Sequence, residues 1–419
     1  MTHPDTATAD SDVGTDIESA YAWRRLAICL LLGTIGGVGM WSVVVALPAV
    51  QAEFGATRAE ATLPYTLATI GFAFGGVLMG RLADRFGILW PIAIAALGLA
   101  LGYLAAAAST SLWQFTLAHA LLIGGLGTSA TFGPLMSDVS QWFSRNRGIA
   151  VSIAAAGNYL AGTVWPPVVQ YLIDSYGWRA THAGIGVFCL ATMLPLALLL
   201  RRRVSAADAG AAAGPLYDPR TRLGVSPGTL QWLICIAGVC CCVAMAMPQV
   251  HIVAYCGDLG YGVARGAEML SLMLACGIVS RVATGFIADR IGGVATLLLS
   301  AALQGVALTL YIAFDGLTSL YVISALFGLF QGGIVPSYAI IIREYFPPAE
   351  AGTRVGLAVM ATLFGMAFGG WVSGVIFDLT GSYALAFANG LAFNLMNVSI
   401  AAWLLLRTHR PHGPRLAVA

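Results

Sequence analysis

The sequence predicts an all-α integral membrane protein, with twelve transmembrane helices in two pseudo-symmetric six-helix bundles. Three observations predict it: the composition, the recurrence of bilayer-length apolar runs, and an internal repeat of charged motifs. The 419-residue chain is 58% hydrophobic and only 10% charged, whereas soluble domains carry about 25% charged residues. Its mean hydropathy is +0.83. A helix that crosses a bilayer needs about 20 apolar residues. Such runs recur at 25–50, 61–80, 88–108, 112–137, 147–172, 178–200, 228–252, 266–286, 292–313, 317–342, 353–377 and 383–406.

Charge placement orients these spans. All 21 basic residues are arginine, and seventeen fall in the tails or in the loops that follow even-numbered spans. Only Arg58, Arg179 and Arg265 fall on the other side, and Arg281 lies inside the eighth span. An arginine excess marks the cytoplasmic side, so both termini are expected in the cytoplasm of a multi-pass plasma-membrane protein. The expected organisation is a tail at 1–24, a bundle at 25–200, a linker at 201–227, a second bundle at 228–406 and a tail at 407–419. The linker carries an RRR run, an Ala/Gly stretch and three prolines.

Other features exclude function classes. A net charge of +2 gives no reason to expect nucleic acid. The eight cysteines lie in or at the ends of apolar spans without CxxC spacing, which reads as free small hydrophobes rather than a zinc or disulfide framework. Residues 1 to 20 are acidic and polar, so no cleaved signal peptide is expected. There is no GxxxxGK[ST] phosphate loop. No enzyme activity, cofactor or metal is therefore expected.

The halves repeat. GRLADRFG at 80–87 matches GFIADRIG at 285–292, an offset of 205. IDSYGW at 173–178 matches FDLTGS at 377–382 at an offset of 204, and QWF ending at Phe143 matches EYF ending at Phe346 at 203. Three ordered matches at nearly constant offset indicate duplication of a six-span unit. Parallel six-helix repeats with substrate held near the midplane between them are the architecture of the major facilitator transporters.

The motifs point the same way. GRLADRFG and GFIADRIG resemble the signature of the major facilitator superfamily that follows its second and eighth helices. WFSRNRGIAVSIAAAG at 142–157 resembles the monocarboxylate-porter signature, with Ser152 where that family often has glycine, and PPVVQYLIDSYGWRATH at 166–182 is similar to the same branch. The resemblance runs from the first span to the last and fits the bacterial oxalate/formate antiporters as well. It implies that Asp84 meets the start of the eleventh helix, where a carboxylate complements the positive end of the helix dipole. By the repeat, Asp289 does the same at the start of the fifth. Gly80, Asp84 and Arg85 with Gly285, Asp289 and Arg290 would then form two cytoplasmic latches between the halves, glycine allowing close helix approach. The competing account is that these charges only anchor loops.

Arg281 is the central candidate. An arginine near a helix centre costs about 2.5–3.5 kcal/mol on insertion scales, so it should face a wet cavity and hold a partner. No acidic residue lies near a span centre, and the repeat equivalent of Arg281 is Gly76. An unpaired cation is a site for an anionic substrate, and a guanidinium binds carboxylate through two parallel hydrogen bonds. Snorkelling to the membrane edge is the alternative. Both resembled families place an arginine in the eighth helix. The monocarboxylate porters also have an aspartate one turn earlier, here Gly277, and a lysine in the first helix, and the oxalate-type antiporters have a lysine in the eleventh; this chain has neither lysine. One cation suits a monocarboxylate such as lactate or pyruvate better than a dicarboxylate.

The helices that line the path in this fold offer Trp41, Phe132, Asn158, Tyr159, Tyr338 and Trp371 as walls or donors, against the competing account of ordinary helix packing. Tyr338 and Asn158 stand out because a hydroxyl or amide can bind the substrate's other oxygens. His119 is the candidate for proton coupling, against a role in helix–helix hydrogen bonding. The expected partners are a small organic anion, a proton and the lipid bilayer, with the chain acting as a monomer. Alternating access by symport is expected, with anion exchange of the oxalate/formate type as the alternative.

Overall fold

The computed structural model describes residues 18–143, 146–202 and 223–408; the side chains at 147, 148, 289, 348, 349, 351 and 352 are also outside the description. Most of the two expected tails and of the linker therefore lies outside the described residues, as does the side chain of Asp289, while residues 20–24, expected in the N-terminal tail, already belong to the first helix.

The helices are α1 (Ala20–Phe54), α2 (Arg58–Phe86), α3 (Leu89–Ala107), α4 (Leu112–Gln141), α5 and α6 within Arg147–Leu198, α7 (Pro227–Asp258), α8 (Val263–Ile291), α9 (Gly293–Ala313), α10 (Leu317–Tyr345), α11 (Pro348–Thr380) and α12 (Ala384–Thr408). The 52-residue run Arg147–Leu198 is too long for one crossing, since about 1.5 Å of rise per residue would carry it more than twice through a hydrocarbon core of about 30 Å. Gly177, at φ 78 and ψ 158, turns it back and separates α5 (147–176) from α6 (178–198). A single residue thus replaces the short loop expected between the fifth and sixth spans.

The helix ends follow local chemistry. At the start of α2 a capping box joins Thr57 and Glu60, each side chain accepting the other's backbone N–H. α2 and α8 run past the predicted spans, so GRLADRFG and GFIADRIG lie largely on helix rather than in loops. Each helix ends at the glycine that closes its motif, Gly87 and Gly292, both with φ 82 and ψ 166. Only glycine adopts that conformation without strain. Two identical stops 205 residues apart are the repeat expressed as geometry.

Packing repeats as well. A Cβ on Gly124 of α4 would collide with the Ala68 carbonyl of α2, and one on Gly328 of α10 with the Met273 carbonyl of α8. The second pair is the first moved by 204 and 205 residues. In a lipid environment such close backbone approach, rather than water exclusion, drives helix association. α4 is irregular, with a π segment at Ala118–Gly127, a 3-10 turn at Thr128–Thr131 and a break at Phe132. Its repeat partner α10 is interrupted at Gly332 and Gly333. The first bundle (α1–α6) and the second (α7–α12) pack chiefly through α2 on α11 and α5 on α8.

Alternating hairpins place the ends of α1, α6, α7 and α12 that join the tails and linker at one face, the terminal face. Gly55, Ala108, Gly177, Leu259, Phe314 and Gly381 lie at the distal face. Arg25, on the terminal face, donates to both Asp138 oxygens at 2.7 Å and to the Leu200 and Arg202 carbonyls. It ties α1 to α4 and to the end of α6.

Candidate functional site

The bundles touch along the distal half of their interface and part toward the terminal face. Distally, Thr66 donates to the Ala367 carbonyl and Gly370 lies against Tyr65. Between α5 and α8, the Ser271 hydroxyl donates to the Thr163 carbonyl and Leu274 lies against Gly162. On the α2–α11 line, an edge-on Phe74–Phe364 contact at 6.0 Å lies nearest the terminal face. Beyond it, a Cβ on Gly76, Gly80, Gly285 or Gly356 would meet nothing within 4 Å among the described residues. A crevice therefore opens between the bundles at the terminal face.

Arg281 sits where that crevice begins. It is half-buried on α8 and reaches across to α5, its guanidinium 4.3 Å from the centroid of the Tyr159 ring. Its polar contacts are meagre: Nη1 stands 3.5 Å from the Ala155 carbonyl, and Nε is buried without a hydrogen-bond partner. Among the described residues no carboxylate pairs with it. Gly277, one turn earlier, explains the stack, because a Cβ there would lie 2.5 Å from Tyr159 Cε1 and 2.8 Å from Cδ1. The missing side chain is the seat of the aromatic ring. A guanidinium over an aromatic face gains about 0.5–2 kcal/mol.

The other expected site residues divide. Trp41 and Asn158 meet each other rather than Arg281: Trp41 Nε1 donates to the Asn158 carbonyl at 3.3 Å, the indole packs on Gly162, and the Asn158 amide oxygen faces Gly37 of α1. Phe132, at the break in α4, pairs with Phe72 of α2 at 6.3 Å. Tyr338 is buried inside the second bundle, its hydroxyl 3.2 Å from Asn397 Oδ1. Trp371 is 37% exposed and clusters with Phe368, which also meets Phe393, so it stands apart from the Arg281 group. His119 is fully buried in the first bundle; its Nδ1 donates to the Phe115 carbonyl at 2.9 Å, and its ring lies 5.7 Å from that of His182. Both imidazoles leave Nε2 without a partner.

The expected latch residues are described only in part, since the side chains of Asp289 and of residues 147, 148, 348, 349, 351 and 352 lie outside the description. Asp84, Arg85 and Arg290 are exposed, and among the described residues none of them has an ion partner. Arg354, near the start of α11, pairs instead with Glu350 of its own helix at 2.7 Å.

Sequence reasoning missed the distal closure. Arg58 there binds Asp258, and Asp378 binds the start of α2, both across the bundle interface. The repeat had marked Asp378, in FDLTGS, as a motif residue without giving it a task.

Comparison with known proteins agrees with this fold. A model of the Major Facilitator Superfamily matches residues 29–299 and 266–418. Monocarboxylate transporter 13 of Bos taurus is 31% identical over 338 residues, covering 78% of this chain and 77% of the relative. Its Rattus norvegicus counterpart is 30% identical with the same coverage. An agnestins efflux protein of Paecilomyces divaricatus is 25% identical, covering 77% of this chain and 73% of its own. The fold is that of the nucleoside transporter NupG, with a TM-score of 0.70 at 16% identity over 92% of this chain and 99% of NupG. It is equally that of a bacterial homologue of the lysosomal transporter Spinster, with a TM-score of 0.70 at 14% identity over 93% and 97%. Its relatives are transporters and not enzymes, and this chain, a multi-pass membrane protein of two six-helix bundles, belongs to the Major Facilitator Superfamily.

Proposed function

We propose that this protein is a secondary active transporter of small organic monocarboxylates, lactate- or pyruvate-like, in the plasma membrane. Both termini are cytoplasmic in this reading, so the crevice faces the cytoplasm and the distal face is the outside. The single observation that carries the proposal is Arg281: a cation between the bundles, stacked on Tyr159, with no carboxylate of the described residues to neutralise it. The 31% identical bovine relative, named a monocarboxylate transporter, supports the substrate class.

The geometry suggests how the anion acts. A carboxylate on Arg281 forms charge-assisted hydrogen bonds worth about 1.5–3 kcal/mol each. Arg281 belongs to the second bundle and Tyr159 to the first, so a bound anion lies at their junction. Neutralising the guanidinium removes the penalty of enclosing it, and the bundles can close around the pair. The latches then re-form, Asp84 at the start of α11 and Asp289 at the start of α5, with Gly80 and Gly285 permitting the approach. Trp41, Asn158 and Phe132 complete the wall; Tyr338 and Trp371 act from further away. Proton symport runs through His119, where Nδ1–H is fixed on a carbonyl and Nε2 is the empty proton acceptor, with His182 and Tyr103 as its polar neighbours. The protein works as a monomer.

Uptake of labelled lactate, pyruvate, formate and oxalate into proteoliposomes, with and without a pH gradient, tests this. Arg281→Gln should abolish uptake and Arg281→Lys should leave little, because lysine lacks the planar fork. Wild-type rates in Arg281→Gln would reject the assignment. A second reading, anion exchange, is favoured by the absence of a described carboxylate beside Arg281 to titrate with it. Counterflow driven by internal substrate and indifferent to pH would select it.

A further inference from the structure

The distal face carries a second buried guanidinium, and its surroundings differ from those of Arg281. Arg58 opens α2 and is only 7% exposed. Its Nη2 donates to both oxygens of Asp258, at 3.0 and 2.9 Å, and its guanidinium lies over Phe377 at 4.8 Å. The backbone N–H groups of Arg58 and Ala59 donate to Asp378 Oδ1 and Oδ2, at 2.8 and 2.7 Å. Asp378 thus caps the positive end of a helix from the other bundle. Gly374 permits this approach, since a Cβ there would lie 3.0 Å from the Ala59 Cα. Every one of these partners belongs to the second bundle, while Arg58 and the start of α2 belong to the first.

Two features go beyond a simple bolt. Arg58 Nε and Nη1 are buried and have no hydrogen-bond partner, an unusual condition for so polar a group. Asp258 is the more accessible member of the pair, its side chain 37% exposed against 8% for Arg58. When the bundles part at this face, Asp258 and Asp378 leave with the second bundle and Arg58 stays behind, a cation with a full set of free donors. The rest of the second-bundle wall is already satisfied: His251 Nε2 donates to the Gly370 carbonyl, which leaves Nδ1 to accept from the Tyr383 hydroxyl.

We infer that Arg58 is a carboxylate-receiving site at the outer mouth as well as the bolt of the outer gate, and that an incoming organic anion opens the gate by taking the place of Asp258. A small carboxylate in the place of Asp258 accepts from Nη2, the donor that Asp258 holds, and the unpartnered Nη1 beside it supplies a second hydrogen bond once the gate parts. The exchange swaps one carboxylate for another on the same cation, so the gate can open without stranding a buried charge. This rests on the anionic substrate and on the orientation proposed above, and it assigns the anion a second, earlier contact than Arg281.

The experiment uses the full-length protein in intact cells with a cysteine at Thr66, which is sealed between α2 and α11 below the gate. Labelling by a membrane-impermeant thiol reagent added outside reports gate opening, read against the same protein without the added cysteine. Removing one buried charge pair from a two-state interface should raise labelling roughly tenfold in Asp258→Asn and Arg58→Gln. External formate or acetate should raise it in the wild type and in Arg281→Gln but not in Arg58→Gln. The double charge exchange Arg58→Asp with Asp258→Arg should restore low labelling, which a folding defect would not do. Unchanged labelling in both single variants overturns the gate. A rise in both without a carboxylate response in the wild type, or a response that survives in Arg58→Gln, overturns the receiving site. Because the readout is accessibility, it stands or falls separately from transport through Arg281: normal uptake in Arg281→Gln would remove the central site and leave this result intact.

Discussion

Gly277 offers the sharpest test of how the Arg281 site is built. Alanine there adds a single methyl group, and that methyl would sit 2.5 Å from Tyr159 Cε1, where ordinary contact begins at 3.4 Å. The ring must therefore move by about 1 Å or the two helices must part, and the stack on Arg281 at 4.3 Å goes with it. A guanidinium–aromatic contact is worth about 0.5–2 kcal/mol, so losing it should weaken substrate binding by roughly 2- to 30-fold. Helix propensity works the other way, since alanine favours a helix interior by about 1 kcal/mol over glycine. The variant should fold as well as the wild type while its apparent KM rises, a separation that a packing defect would not give. The assay is initial uptake rate against substrate concentration in proteoliposomes, with a thermal melt of the same sample. Tyr159→Leu should weaken binding similarly, and the double variant Gly277→Ala with Tyr159→Leu should be no worse than either alone. An unchanged KM in Gly277→Ala, or strictly additive effects, would refute the account.

Four other outcomes follow from the structure. Arg25→Ala strands Asp138 in a buried terminal-face cluster and should destabilise the protein by about 3–5 kcal/mol, read as a lower melting temperature in detergent; an unchanged melt would refute the pairing. Tyr338→Phe removes a hydroxyl already committed to Asn397, so stability should fall by about 0.5–1.5 kcal/mol while KM changes little; a large KM change would return Tyr338 to the substrate. Asp84→Asn weakens the proposed cytoplasmic latch and should increase labelling of a cysteine placed at Gly80 by reagent from the cytoplasmic side, and equal labelling would count against the latch. His119→Gln should abolish the stimulation of uptake by an inward proton gradient while leaving substrate exchange; retained stimulation would place the proton elsewhere.

What the chain determined alone was its partition between lipid and water, its twofold plan and the anomaly at Arg281. These depend on local quantities: apolar run length, the side on which arginines fall, and the absence of an acidic residue near any span centre. The stops at Gly87 and Gly292 came from the structure, which carries both helices through motifs that the apolar runs place in loops. The tertiary structure decided what lies opposite what. Gly277 appeared in the sequence only as a missing aspartate, and became the seat of a tyrosine from the other bundle. Tyr338 and Asn158 looked alike as polar groups on path-lining helices, yet the Tyr338 hydroxyl is bound to Asn397 while the Asn158 amide oxygen faces Gly37 of α1. Arg58 looked like a loop arginine on the sparse side, and Asp258 and Asp378 like helix-end acids. Their meeting brings together residues 200 and 320 positions apart in the chain. No periodicity records such a pairing, because it depends on how two rigid bundles are set against each other.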